Sequence, residues 1–179
     1  MSTAADLKKM AQHIVEWREG KGFYTPETWA SEPAAKPATG ADWAISKAAL
    51  IHTELSELEQ AIRNDDHANI LEEAADVVIR TLDMMGSAGV SFQGVGDIYN
   101  FEAMHVDLFD PTRMDWRVWL DEAIEAIRKE NTDRARHMFV KLMGAMAGVC
   151  KIYESDLIKE VESKMQINHG RARMHGKVA

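Results

Sequence analysis

Apolar residues recur at helical spacing along most of this chain, and short polar breaks divide the pattern into segments. Leu7, Met10, Ile14 and Trp17 predict a first helix over about residues 4–19, with Gly20 and Gly22 as stop signals. From Lys21 to Gly40 the period is lost, and Pro26, Pro33 and Pro37 mark an extended connector. Asp42 is the expected cap of a second helix reaching about Arg63, with Trp43, Leu50, Ile51, Leu58 and Ile62 as its apolar positions. Asn64, Asp65 and Asp66 form a turn, and a third helix runs from about His67 to Ser87, ending at Gly86 or Gly89. Residues 90–110 give no readable period. Asp110 followed by Pro111 looks like a cap and first helical residue, opening a helix to about Glu130. Further helices are expected over residues 132–153 and from Asp156 to about Asn168. Strand alternation is nowhere convincing, so the expected fold is all-α.

Sliding the chain by 65 residues lays Glu57–Arg63 over Glu122–Arg128, with Glu57/Glu122, Ala61/Ala126, Ile62/Ile127 and Arg63/Arg128 identical. Each segment is followed by a polar turn and a long apolar helix, Ile70–Met85 and Ala135–Cys150. Two such hairpins would pack as a four-helix core with an approximate two-fold axis, flanked by the N-terminal helix and by a C-terminal helix with a basic tail. The whole chain then reads as one domain, 1–179, with hairpins at about 42–88 and 112–153. Leu142, Met143 and Met146 are expected on an apolar face that seeks a partner, which favours oligomerisation.

Composition narrows the functional classes. The 179 residues carry a formal charge of −8, and such an acidic chain lacks the basic face that a general nucleic-acid binder requires. Yet residues 164–179 hold Lys164, Arg171, Arg173 and Lys177 and no acid, so an acidic body ends in a tail suited to anions. The single cysteine, Cys150, sits in an apolar run and reads as a core thiol. No apolar run reaches membrane-spanning length and no signal peptide is apparent, so the expectation is a soluble cytoplasmic protein without a membrane partner.

The candidate chemistry lies in Glu54-Leu-Ser-Glu57 on the second helix and Glu73-Ala-Ala-Asp76 on the third. A spacing of three puts each pair on one helix face, and the turn between them folds the helices antiparallel. Carboxylates gathered away from water repel one another unless a cation neutralises them. Oxygen-only donors suit Mg²⁺, with Mn²⁺ possible, better than zinc or a di-iron centre, since no histidine or cysteine joins the pairs. Lys47 lies on the side of Glu54, and Arg80 and Asp83 extend the stripe begun by Glu73 and Asp76. The alternative for this stripe is a solvated face held by ordinary ion pairs. His105, Asp107 and Asp110 are a minor second candidate for a metal, His52 and His67 read as surface or capping residues, and Trp43, Trp116 and Trp119 read as core with base stacking as the lesser option.

Thr53 to Ala61, with Glu54 and Glu57, followed by Glu73 and Asp76, with fifteen residues between Glu57 and Glu73, resembles the ExxE…ExxD signature of the MazG-like all-α NTP pyrophosphohydrolase superfamily, which includes the dimeric dUTPases. Ala74 to Asp83 is similar to the phage-type members, as is the ending Lys164…Asn168…Arg171…His175-Gly-Lys177. The resemblance implies that Glu54, Glu57, Glu73 and Asp76 hold about two Mg²⁺ ions that bridge a triphosphate and activate water. It also implies that Lys164, Asn168, Arg171 and Lys177 clamp phosphates, while Lys47, Arg80 and Asp83 orient ligands or substrate. The implied reaction converts a nucleoside triphosphate, in particular a dNTP, to the monophosphate and pyrophosphate in nucleotide-pool control. A dUTPase and a non-catalytic helical adaptor are the alternatives, and the resemblance also implies a homodimer or homotetramer. The chain departs from the pattern at Thr53, where many members carry a glutamate, and in its long insertion before the C-terminal motif. In the second hairpin the four acidic positions become Trp119, Glu122, Met138 and Lys141, so that half is expected to be degenerate.

Overall fold

In the computed structural model, residues 4–20, 40–92 and 116–170 are described. Among them are six helices and no strand: α1 (Ala4–Gly20), α2 (Gly40–Arg63), α3 (His67–Ser87), α4 (Trp116–Arg128), α5 (Thr132–Ile152) and α6 (Leu157–Gly170). α2 begins at Gly40, so Asp42 lies inside the helix and does not cap it. Gly40 and Ala41 accept helical dihedrals, and a polar residue near a helix start marks the boundary only to within a residue or two. The Asp110-Pro111 start and the proline-rich connector lie outside the described residues.

α2 packs on α3 and α4 on α5, giving two helical hairpins, and these meet through α3–α5 and α2–α4. The two hairpin turns are built alike. In the first, Asp66 N–H donates to Ala61 O (3.0 Å), Asp65 N–H donates to Ile62 O (3.2 Å), and Asp65 adopts φ 53°. In the second, Asn131 N–H donates to Ala126 O (2.8 Å), Glu130 N–H donates to Ile127 O (3.0 Å), and Glu130 adopts φ 56°. Both are Schellman closures with a left-handed residue at the same step. The next residue then caps the following helix: Asp66 accepts from Asn69 N–H, and Asn131 accepts from Arg134 N–H.

The contacts between hairpins obey the same 65-residue offset. His52 Nε2 lies 3.2 Å from Asp121 Oδ1, and Arg117 Nη2 donates to Ser56 Oγ at 3.2 Å. Advancing His52 and Ser56 by 65 positions gives Arg117 and Asp121, so each contact turns into the other. That exchange is the mark of a two-fold axis running between α2 and α4.

α3 is the central helix, packed against α1, α2, α5 and α6. Ile70, Ala74, Ala75, Val77, Val78, Leu82, Met84 and Met85 on it are all buried. Consequently Glu73, Asp76 and Asp83 on α3 sit in low-dielectric surroundings, whereas Glu72 is exposed. α5 is buried without interruption from Leu142 to Cys150. This corrects the expectation for Leu142, Met143 and Met146: each is fully buried within the single chain and offers no face to a partner. A helix apolar on all sides is a core helix, and this one is gripped by α3, α4 and α6. Leu142→Ala should therefore cost about 3 kcal/mol in urea unfolding and leave the solution mass unchanged. A change of mass with little loss of stability would contradict that burial. Among the described residues, no helix is long and apolar enough to cross a membrane.

Candidate metal centre

From the turn at Asp65, α2 and α3 run back along each other, so residues equally far from the turn lie opposite. Glu57 is thereby set against Glu73, Glu54 against Asp76, and Lys47 against Asp83. The three-residue spacings turn these side chains to the seam between the helices.

Glu54, Glu57 and Glu73 each place a carboxylate oxygen within 4.8 Å of the other two. Glu54 and Glu73 are both only 8% exposed, whereas Glu57 is open to solvent and gives the cluster its mouth. Glu73 Oε2 is buried with no hydrogen-bond partner. A buried, unsatisfied carboxylate oxygen is costly, and beside two further carboxylates no neutral donor would relieve it as well as a cation. Burial, with Asp76, Glu57 and Glu54 adding repulsion and Lys164 opposing them, pushes the Glu73 carboxyl up to about 7. The donor set is all oxygen and fits a hard divalent ion such as Mg²⁺ or Mn²⁺.

Around the three glutamates stand two cations. Arg80 donates Nε–H to Glu54 Oε1 at 3.1 Å. Lys164, reaching in from α6, is 6% exposed and lies 2.7 Å from Asp76 Oδ2 while also donating to Glu72. Asp76 is thus placed beside the cluster but is engaged by an ammonium. Its own burial raises its carboxyl, against the lowering effect of Lys164. For Lys164, desolvation works to lower its pKa but is outweighed by the hydrogen bonds to Asp76 and Glu72, so the ammonium form is held more firmly than usual. At the far end of the seam Lys47 Nζ and Asp83 Oδ2 form an ion pair at 2.6 Å.

Glu72 was not singled out in the sequence. The signal available was its place one residue before Glu73, which turns it toward α6 while Glu73 faces α2. Asn168 sits half-buried one turn beyond Lys164 on α6. Arg171 and Lys177 lie outside the described residues, as do His105, Asp107 and Asp110 and the side chain of Trp43. Trp116 is 1% exposed in the core, whereas Trp119 carries Lys141 Nζ 5.7 Å from its ring centre. That cation–π pair stands at the positions equivalent to Glu54 and Asp76, and Glu122 is paired with Arg134. His52 faces Asp121, and His67 lies 3.1 Å from Asp65 at the surface. An open groove of about 820 Å³ between α1 and α6, bordered by Met10, His13, Glu162 and His169, shares no residue with the acidic cluster. Convergent charge and an unsatisfied oxygen call for a cation at the cluster, a demand that the open groove does not make.

This all-α bundle, whose first hairpin gathers these carboxylates, is similar to the MazG-like all-α NTP pyrophosphohydrolase superfamily. Residues 20–100 match the family model of phosphoribosyl-ATP pyrophosphohydrolase, a span of a little under half the chain that holds Glu54, Glu57, Glu73 and Asp76. No curated protein and no solved structure matches the chain significantly.

Because the Glu73 carboxyl takes up its proton near pH 7, a divalent ion must compete with that proton. Lowering the pH from 8 to 6 should weaken Mn²⁺ binding about tenfold in calorimetric titrations, with proton release per ion rising from about 0.1 at pH 8 to about 0.9 at pH 6. Affinity that is flat across this range would contradict the assignment of Glu73 as a ligand.

Proposed function

We propose that this protein is a divalent-metal-dependent pyrophosphohydrolase that cuts a (d)NTP between its α and β phosphates, releasing the monophosphate and pyrophosphate. The observation carrying this reading is the convergence of Glu54, Glu57 and Glu73 around a buried, unsatisfied carboxylate oxygen. These three would hold Mg²⁺ or Mn²⁺, with Asp76 adjoining. When bound, such an ion polarises phosphoryl oxygens and lowers the pKa of water.

The chain's own groups complete the site. Glu57, at the mouth, is the carboxylate that entering substrate meets first. Arg80 has five N–H donors and uses Nε–H to fix Glu54, so its fork can orient that carboxylate and still meet a phosphate oxygen. Asn168 on α6, with Arg171 and Lys177 further along the sequence, supplies the anion-binding side, while Lys164 is held between Asp76 and Glu72. Lys47 pairs with Asp83 and holds the far end of α2 against α3. The physiological setting proposed is control of the nucleotide pool in the cytoplasm, by a homo-oligomer.

The family match favours a second substrate, phosphoribosyl-ATP, which presents the same triphosphate. A pyrophosphate-release screen with Mg²⁺ over all NTPs and dNTPs, dUTP and phosphoribosyl-ATP tests both readings. Release from one or more dNTPs is expected. Turnover of dUTP alone would make the protein a dUTPase, turnover of phosphoribosyl-ATP alone would favour the second substrate, and no release from any compound would leave a helical adaptor.

A further inference from the structure

Asp76 belongs to the acidic motif, yet its carboxylate faces the buried ammonium of Lys164 at 2.7 Å, and Glu72 takes the same ammonium from the other side. Lys164 comes from a different helix, 88 residues further along the chain, and it is at least as buried as Glu73 itself. Beside it, Glu73 Oε2 has no partner. The seam therefore has two parts: three glutamates without an internal cation at Glu73, and one aspartate already neutralised by the protein.

We infer that Lys164 is an internal competitor for divalent metal, occupying Asp76 in the metal-free protein so that a metal ion can recruit this carboxylate only by driving the ammonium off it. The inference rests on the metal-binding reading above. A dication brought next to Asp76 repels the ammonium directly, and the displaced charge falls back on Glu72, its second partner. Glu72 thus acts as a resting place that keeps the buried lysine paired in either state, because an unpaired buried charge would be expensive. α6 is joined to α3 through this lysine, so occupancy at Asp76 is communicated to the helix that leads into the basic tail. Lys164 is a positioning residue in this scheme: it acts through Asp76.

The test is Mn²⁺ titration of the full chain, by calorimetry and by spin counting, on wild type, Lys164→Met and Lys164→Arg. Removing the charge should tighten Mn²⁺ binding on the order of tenfold or add a further bound ion, and the arginine variant should bind as wild type does. Methionine and wild-type proteins that bind with equal affinity and number would overturn the inference while leaving the metal site standing. Wild type that binds no Mn²⁺ would overturn the metal reading itself. Should Lys164→Met fail to fold, side-chain ammonium NMR on wild type decides: one lysine ammonium protected without metal should shift its signal at saturating Mg²⁺ as its partner changes from Asp76 to Glu72. A signal unchanged by Mg²⁺ would contradict displacement.

Discussion

Glu73→Gln is expected to make the metal-free protein more stable and at the same time inactive. The sign follows from linkage. The Glu73 carboxyl is raised from 4.5 to about 7 in the folded protein, so the folded state binds its proton more tightly than the unfolded chain does. Its contribution to stability is therefore intact below pH 4.5 and is lost as the pH climbs through 7. At pH 8 the ionised side chain destabilises the metal-free fold by about 2–3 kcal/mol, and glutamine, which cannot ionise, removes that cost. Thermal unfolding at pH 8 with chelator should show the variant melting higher by roughly 5–8 °C. With metal at about a hundredfold excess over its dissociation constant, wild type should regain about 2.7 kcal/mol that the variant cannot. Pyrophosphate release by the variant should fall on the order of a hundredfold or more. A variant less stable than wild type without metal would show instead that Glu73 is a structural acid.

The second large effect is a contrast between two glutamates related by the repeat. Glu57→Gln should lower kcat/KM by on the order of a hundredfold, because it removes one of three converging oxygen donors. Glu122→Gln should leave kcat/KM within about twofold, since it removes an exposed ion pair with Arg134 of the kind that contributes little. Equal losses in the two variants would mean that the second hairpin also takes part in the chemistry. The geometry argues otherwise, because at its remaining acidic positions this hairpin has Trp119 under Lys141 in place of two carboxylates, and buried Met138 in place of Glu73.

Much of this site was legible along the chain because its signals are local. The spacing within Glu54–Glu57 and Glu73–Asp76, and the polar break at residues 64–66, suffice to bring four acids to one seam. The 65-residue echo foretold two hairpins, and the matching turns at Asp65 and Glu130 give it a backbone counterpart. The pairings across the bundle were not legible. Lys164 read as a phosphate-binding lysine, since nothing near residue 164 announces Glu72 or Asp76 as its partners. The same blindness hid the contacts of His52 with Asp121 and of Arg117 with Ser56, although the repeat offset, applied to polar residues, would have pointed to them. Leu142, Met143 and Met146 misled for a different reason: period shows that a face is apolar but not whether the chain itself covers it. There the unbroken apolar run to Cys150 was the better clue, since a helix apolar on every side belongs in the interior.

Anomalous diffraction from crystals grown with Mn²⁺ tests the central assignment most directly. A manganese peak bonded to oxygens of Glu54, Glu57 and Glu73, between α2 and α3, is expected. A well-ordered cluster with no peak there, or manganese bound only elsewhere on the protein, would contradict it.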